Sequence, residues 1–146
     1  MKKILLSVVF LLVAIQFISP AKTNPKVDDS LALHTDSKVQ SVLKRSCYDC
    51  HSFETKWTTL ADVAPFSWVI VSHVNDGRNA LNFSKWSEID SDTKTKRLKR
   101  IIQTTSNGMM PLPNYLTLHE DAKLSSDDKK ILREWADSQL KNIKQD

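Results

Sequence analysis

Ser37-Lys38-Val39-Gln40-Ser41-Val42-Leu43-Lys44-Arg45-Ser46-Cys47-Tyr48-Asp49-Cys50-His51 joins a helical period to a cluster of reactive side chains. Asp36 or Ser37 can cap a helix running to about Arg45, and Val39, Val42, Leu43 and Cys47 follow at i, i+3, i+4 and i+8 on one face. That face ends in Cys-x-x-Cys-His. Two thiols at this spacing can each add to one of the two vinyl groups on one porphyrin edge. The histidine directly after the second thiol is then held beneath the iron. The spacing predicts one covalent c-type haem per chain, attached through Cys47 and Cys50, with His51 as the proximal iron ligand.

The chain contains only two cysteines, and both lie in this motif. A thioredoxin-like dithiol would use the same Cys-x-x-Cys, but near a βαβ pattern that the sequence lacks. A structural zinc site needs four ligands at close spacings, whereas His34, His73 and His119 are scattered singly. A disulfide across so short a loop would stabilise little.

The N-terminus reads as an export segment. Lys2 and Lys3 precede an apolar run from Ile4 to Ile18 interrupted only by Ser7 and Gln16. The run has the length of a signal-peptide core and is shorter than the roughly 20 residues of a comfortable membrane span. Ser19-Pro20-Ala21 offers small residues for cleavage after Ala21, with an uncleaved membrane anchor through residues 4–18 as the alternative. Either reading puts the rest of the chain in the periplasm, free or tethered to the inner membrane. Covalent haem attachment in bacteria also takes place outside the cytoplasm. The organisation expected is a signal or anchor over residues 1–21, an extended linker over 22–35 and one haem-binding domain over 36–143.

The remaining periods are helical too. A second helix is expected from near Pro65 to near Gly77, carrying Trp68, Val69, Val71 and Val74. A third is expected from about Thr93 to Thr105, with Leu98, Ile101 and Ile102 inward and Asn107-Gly108 as its stop. A last helix begins after Ser125, where Ser125 and Asp128 resemble a capping box. No segment alternates like a strand, so the fold class expected is all-α.

Between the third and last helices lies Gly108-Met109-Met110-Pro111-Leu112-Pro113. A thioether on a proline-stiffened loop is suited to reach iron from the opposite face, which makes Met110 the first candidate for sixth ligand. Met109, His73 and His119 are the others. His73 also reads as an ordinary hydrogen-bonded helix residue. Arg78, Asn82 and Trp86 are candidate propionate partners, with surface pairing an equal reading for Arg78. Trp57 is a candidate cover for the haem edge, and Trp68 and Trp135 read as core or pocket packing.

The net charge is +4, of which Lys2 and Lys3 supply two. Basic residues alternate with acids, as in Asp92-Thr93-Lys94-Thr95-Lys96-Arg97, which reads as a solvated helix face. Nucleic-acid binding needs a basic patch that does not cancel, so no nucleic-acid partner is expected.

Several stretches resemble a known family. They are Thr23-Asn24-Pro25, Cys47-Tyr48-Asp49-Cys50-His51-Ser52, Ala64-Pro65-Phe66-Ser67-Trp68, Ser72-His73-Val74-Asn75-Asp76-Gly77-Arg78, Asn82-Phe83-Ser84-Lys85-Trp86 and Met110-Pro111-Leu112-Pro113-Asn114-Tyr115 with Leu118-His119. The chain resembles the small bacterial haem-binding domain proteins, which are similar to class I cytochromes c. The resemblance implies a cytochrome c-like helical domain, His51 and Met110 as axial ligands, and first and last helices packed together. It brings no defined reaction. The chain departs from the family at Thr58-Thr59-Leu60, where Pro-Trp-Tyr is frequent.

Two functional classes remain. An electron carrier, working with a redox partner protein in the periplasm or inner membrane, has both axial positions filled. A peroxidase-like or gas-binding haem protein needs a displaceable sixth ligand and a distal group such as His73.

Overall fold

The computed structural model describes residues 1–144, and among them all regular structure is helical. The α-helices are α1 (Lys2–Ala14), α2 (Ser37–Ser46), α3 (Tyr48–His51), α4 (Phe66–Ala80), α5 (Ser91–Ser106), α6 (Pro113–Leu116) and α7 (Ser126–Ile143). Single 3-10 turns or short 3-10 runs lie between them.

Side-chain caps set the starts of the main helices. The Asp36 carboxylate accepts from the Lys38 and Val39 N–H groups at 3.0 and 3.1 Å. Asp90 accepts from Thr93 N–H at 2.9 Å, so α5 begins two residues before the expected Thr93. At α7 the capping box is complete: Ser125 Oγ accepts from Asp128 N–H at 3.1 Å, and Asp128 accepts from Ser125 N–H at 2.9 Å. Such caps contribute about 1 kcal/mol each. Gly108 ends α5 with φ 75°, the left-handed conformation that a C-terminal stop uses.

The core lies where α7 packs along α5 and crosses α2. Leu43, Leu98, Leu132 and Ala136 are buried there, with Phe83, Trp86 and Trp135 in a continuous aromatic row. Arg45 donates to Asp128 at 2.7 Å, so the cap of α7 also fastens α2. The first and last helices of the domain therefore pack together.

Two expectations change. Gly77 does not end α4, which continues to Ala80. A Cβ at Gly77 would overlap the carbonyl oxygen of Cys50 and stand 3.0 Å from its Cβ. The glycine permits α4 to touch the cysteine motif. Trp68 is not core: it is 37% exposed, and the inward residues of α4 are Ser67, Val71 and Val74.

The stretch from 22 to 35 contains no helix, yet it is packed. Leu33 is buried and its N–H donates to the Phe83 carbonyl at 2.8 Å, which adds residues before α2 to the core. The apolar side chains of α1 from Ile4 to Val13 stand exposed, and no helix among the described residues is long and apolar enough to cross a membrane.

Candidate functional site

The cysteine motif forms a sharp corner. Cys47 closes α2 with φ −132°, and α3 is a single turn whose Cys50 and His51 N–H groups return to the Cys47 carbonyl at 3.2 and 2.9 Å. The two intervening residues anchor this turn in opposite directions. Tyr48 is buried and stacks on Phe83, ring centroids 5.3 Å apart, while its hydroxyl accepts from Gln40 at 2.9 Å. Asp49 accepts from Lys56 N–H at 3.0 Å and from the Tyr115 hydroxyl at 2.7 Å, joining the turn to α6. Burial first, and then the Asp49 hydrogen bond, hold the Tyr115 phenol above its ordinary pKa, so it stays a donor.

His51 is oriented by its outer nitrogen. Nδ1 lies 3.0 Å from the Leu81 carbonyl, which can only accept. The proton is thereby assigned to Nδ1, and Nε2 keeps its lone pair free for a metal. Burial also pushes the His51 pKa down, opposed by the Leu81 and Gly77 carbonyls, which favours the neutral imidazole that a ligand must be. The thiols behave differently from redox-active ones. Cys47 and Cys50 are not joined, and burial raises them to about 12 and about 11, with a smaller contribution from neighbouring negative charge. A catalytic Cys-x-x-Cys has a lowered pKa. Among the described residues no group of three or more His, Cys, Asp or Glu side chains could hold a metal ion, so zinc has no ligand set there.

Two adjoining cavities, of about 530 and 360 Å³, flank the motif. Both are lined by Ser46, Cys47, His51, Ala80, Met110 and Pro111. Leu43, Leu81, Phe83, Ile101 and Leu132 complete the larger one as an apolar wall. Met110 is placed by the end of α5: after the Gly108 turn its N–H donates to the Thr104 carbonyl at 3.1 Å. The other candidate sixth ligands are less well placed. Met109 lines the larger cavity but is 51% exposed, and its sulfur accepts from Asn107 at 3.2 Å. His73 lines only the smaller of the two. His119 lines neither; it stacks on Tyr115, ring centroids 4.1 Å apart, beside a third cavity of about 390 Å³. Trp57 also lines that third cavity and not the two that contain His51.

The candidate propionate partners have other work. Arg78 donates to the Ser52 and Thr23 carbonyls, to Asn24 Oδ1 and to Thr55 Oγ1, all within 2.9 Å. It clamps residues 23 and 24 onto the loop after the motif. Asn82 accepts from Ser84 N–H at 2.9 Å, and Trp86 is buried in the core. The cations at the cleft are instead Lys96, Arg97 and Arg100 of α5, which line the larger cavity. The sequence signal for them was present: 96, 100 and 104, with 97, 101 and 105, form two i, i+4 rows leading into the methionine loop. The acceptor of His51, a backbone carbonyl, had no signal in the sequence.

A tetrapyrrole fits these residues. Two thiols and one free imidazole nitrogen border an apolar cleft with cations on one wall. The buried hydroxyl of Ser46, which lines both cavities, has no hydrogen-bond partner among the described residues. A family model described as "Haem-binding domain" matches residues 10–138. Searches of curated proteins and of solved structures return no significant match.

Proposed function

Because this chain belongs to the haem-binding domain family, we propose that it is a periplasmic electron carrier with one covalent haem c and His51/Met110 axial ligation. The observation that carries this reading is the lining of both cavities beside Cys47 by His51 from α3 and Met110 from the loop after α5. The packing of α2 against α7 behind the motif supports a likeness to class I cytochromes c. Bound in the cleft, the haem supplies a one-electron iron couple.

The chain's own residues do the rest. Cys47 and Cys50 hold the porphyrin edge, and the Leu81 carbonyl keeps the His51 ring in its tautomer. Met110 offers a thioether from a loop pinned at Thr104 and Pro111, so little freedom is lost on ligation. Lys96, Arg97 and Arg100, which line the larger cavity, would pair with the propionates of a bound haem, and Leu43, Leu81 and Leu132 would exclude water from it. A redox protein of the periplasm or inner membrane exchanges the electrons. A haem enzyme or gas sensor is the second reading, and His73 beside the smaller cavity is the residue that favours it.

The ferric spectrum tests the choice. A six-coordinate low-spin iron with a sulfur-to-iron charge-transfer band is expected, together with slow carbon monoxide binding. Met110→Ala should remove the band, turn the iron partly high-spin, lower the potential and create peroxidase activity. A parent protein that binds carbon monoxide quickly and turns over peroxide, unchanged by Met110→Ala, overturns the carrier reading and makes His73→Ala the next variant.

A further inference from the structure

The turn that follows α1, Ile15–Phe17, and the residues after it are built into the domain. The Gln16 side-chain amide bonds both backbone groups of a residue 48 positions away: Nε2 donates to the Ala64 carbonyl at 3.1 Å, and Oε1 accepts from the Ala64 N–H at 2.9 Å, while Nε2 also donates to the Leu12 carbonyl at 2.9 Å. Trp68 Nε1 donates to the Ile18 carbonyl at 2.6 Å, and Lys22 pairs with Asp62. The family match also begins at residue 10, ahead of the Ala21 cleavage position. A segment destined for removal has no use for a reciprocal amide pair with the mature domain.

Around this exit the domain exposes apolar side chains. Val63, Phe66, Trp68 and Val69, all within five residues of Ala64, are exposed, with Phe66 at 52% and Val69 at 51% exposure; Phe66 and Val69 also border the open third cavity. From Ile4 onward α1 is apolar on every side, and its one polar side chain there, Ser7, hydrogen-bonds to the Lys3 carbonyl within the helix. A helix with no polar face is immersed rather than laid flat on a surface. Length then sets the depth. Residues 4–18 as a helix reach about 22 Å at 1.5 Å per residue, against a hydrocarbon core of about 30 Å. A short anchor is accommodated by thinning the bilayer or by drawing its flanks inward. Lys2 and Lys3 can snorkel on the cytoplasmic side. On the other side the flank is the collar of Val63, Phe66, Trp68 and Val69.

We propose that the leader is retained and that this collar is a membrane-docking surface, seated in the outer interface of the inner membrane. Its occupant is the lipid bilayer. The collar fixes the face of α4 and the loop before it towards the lipid, so the domain is held in one orientation rather than swinging on a linker. The inference extends the tether of the proposed function and is independent of the iron's ligands.

Native full-length holoprotein, reconstituted in phospholipid vesicles containing a diazirine-labelled lipid, provides the test by mass spectrometry of the photolabelled chain. The expected result is a chain with its N-terminal segment intact, labelled within residues 4–18 and also within 63–69. Replacing Phe66 and Val69 together by Asn should reduce labelling of 63–69 several-fold while labelling of the leader and haem attachment stay unchanged. A mature chain beginning at Lys22 overturns the proposal. So does label confined to the leader, or a collar that is unlabelled because a second copy covers it, seen as chain-to-chain cross-links. Failure of the haem reading would register separately, as a chain without a haemochrome spectrum but with the same labelling pattern.

Discussion

The two halves of this domain use the same residue types to different ends. Around α2, α5 and α7 the apolar faces close on one another, and Leu98 and Leu132 are 0% exposed. Around α4 and the turn before it, Phe66 and Val69 remain more than half exposed. Helix α7 has two long neighbours, whereas the helices and turns packed on α4 among the described residues are the short α3 and the Thr59–Asp62 turn. An apolar period in sequence says that a face needs cover, not that the chain provides it. The closed half is the scaffold that places the cysteine motif. The open half leaves the apolar side chains Phe66 and Val69 without cover, and these are the ones proposed to meet lipid.

Substitutions can break or sharpen that contrast. Leu132→Ala should be the most damaging, costing about 3 kcal/mol in chemical denaturation of the holoprotein, because its fully buried side chain fills the core between the long helices and also walls the larger cavity. Gly77→Ala follows at about 2 kcal/mol, since its Cβ drives α4 away from Cys50. A harmless Gly77→Ala would mean that α4 does not press on the motif.

Asp128 gives a smaller effect with a pH signature. Burial works against its charge, but the Ser125 hydrogen bonds and the Arg45 guanidinium prevail and hold the carboxyl below its ordinary range. A folded pKa below the unfolded one contributes stability that is present above the unfolded value. That contribution is lost as pH falls through the folded one. Asp128→Asn should therefore cost about 1 kcal/mol near neutrality and progressively less below about pH 4. An equal cost at neutral and strongly acid pH would remove Asp128 from the account. At the bottom of the scale, Phe66→Ala and Val69→Ala in detergent should change stability by no more than about 0.5 kcal/mol each. A loss at Phe66 comparable to that at Leu132 would erase the difference between the halves.

What could be read in the sequence was local. Asp36, Ser125 and Asp128 announce helix starts because capping acts within three residues, and the Cys-x-x-Cys-His spacing carries its chemistry within five. That Met110 would border the same cleft as His51 was legible because Gly108 and Pro111 confine its loop. The misreadings all concern distant neighbours. Gly77 resembles a helix stop until the Cys50 carbonyl is found against it. Arg78 resembles an anion binder until its acceptors, at positions 23, 24, 52 and 55, are seen together. Lys96, Arg97 and Arg100 read as a solvated face in a stretch of alternating charge, and Lys96 and Arg100 are indeed exposed; what only the fold of α5 onto the methionine loop adds is that they also border the cleft. Trp68 looks like core because an aromatic on a helix usually is. Its exposure reflects how few elements cover α4.

The covalent bond between cofactor and chain is the central claim, and extraction with acidic acetone addresses it most directly. The chain purified after export should keep its haem in the protein precipitate, with an intact mass raised by one haem. The double variant Cys47→Ser with Cys50→Ser should release all of it. Free haem in the organic phase from the parent protein, with the polypeptide at its bare mass, would contradict the account.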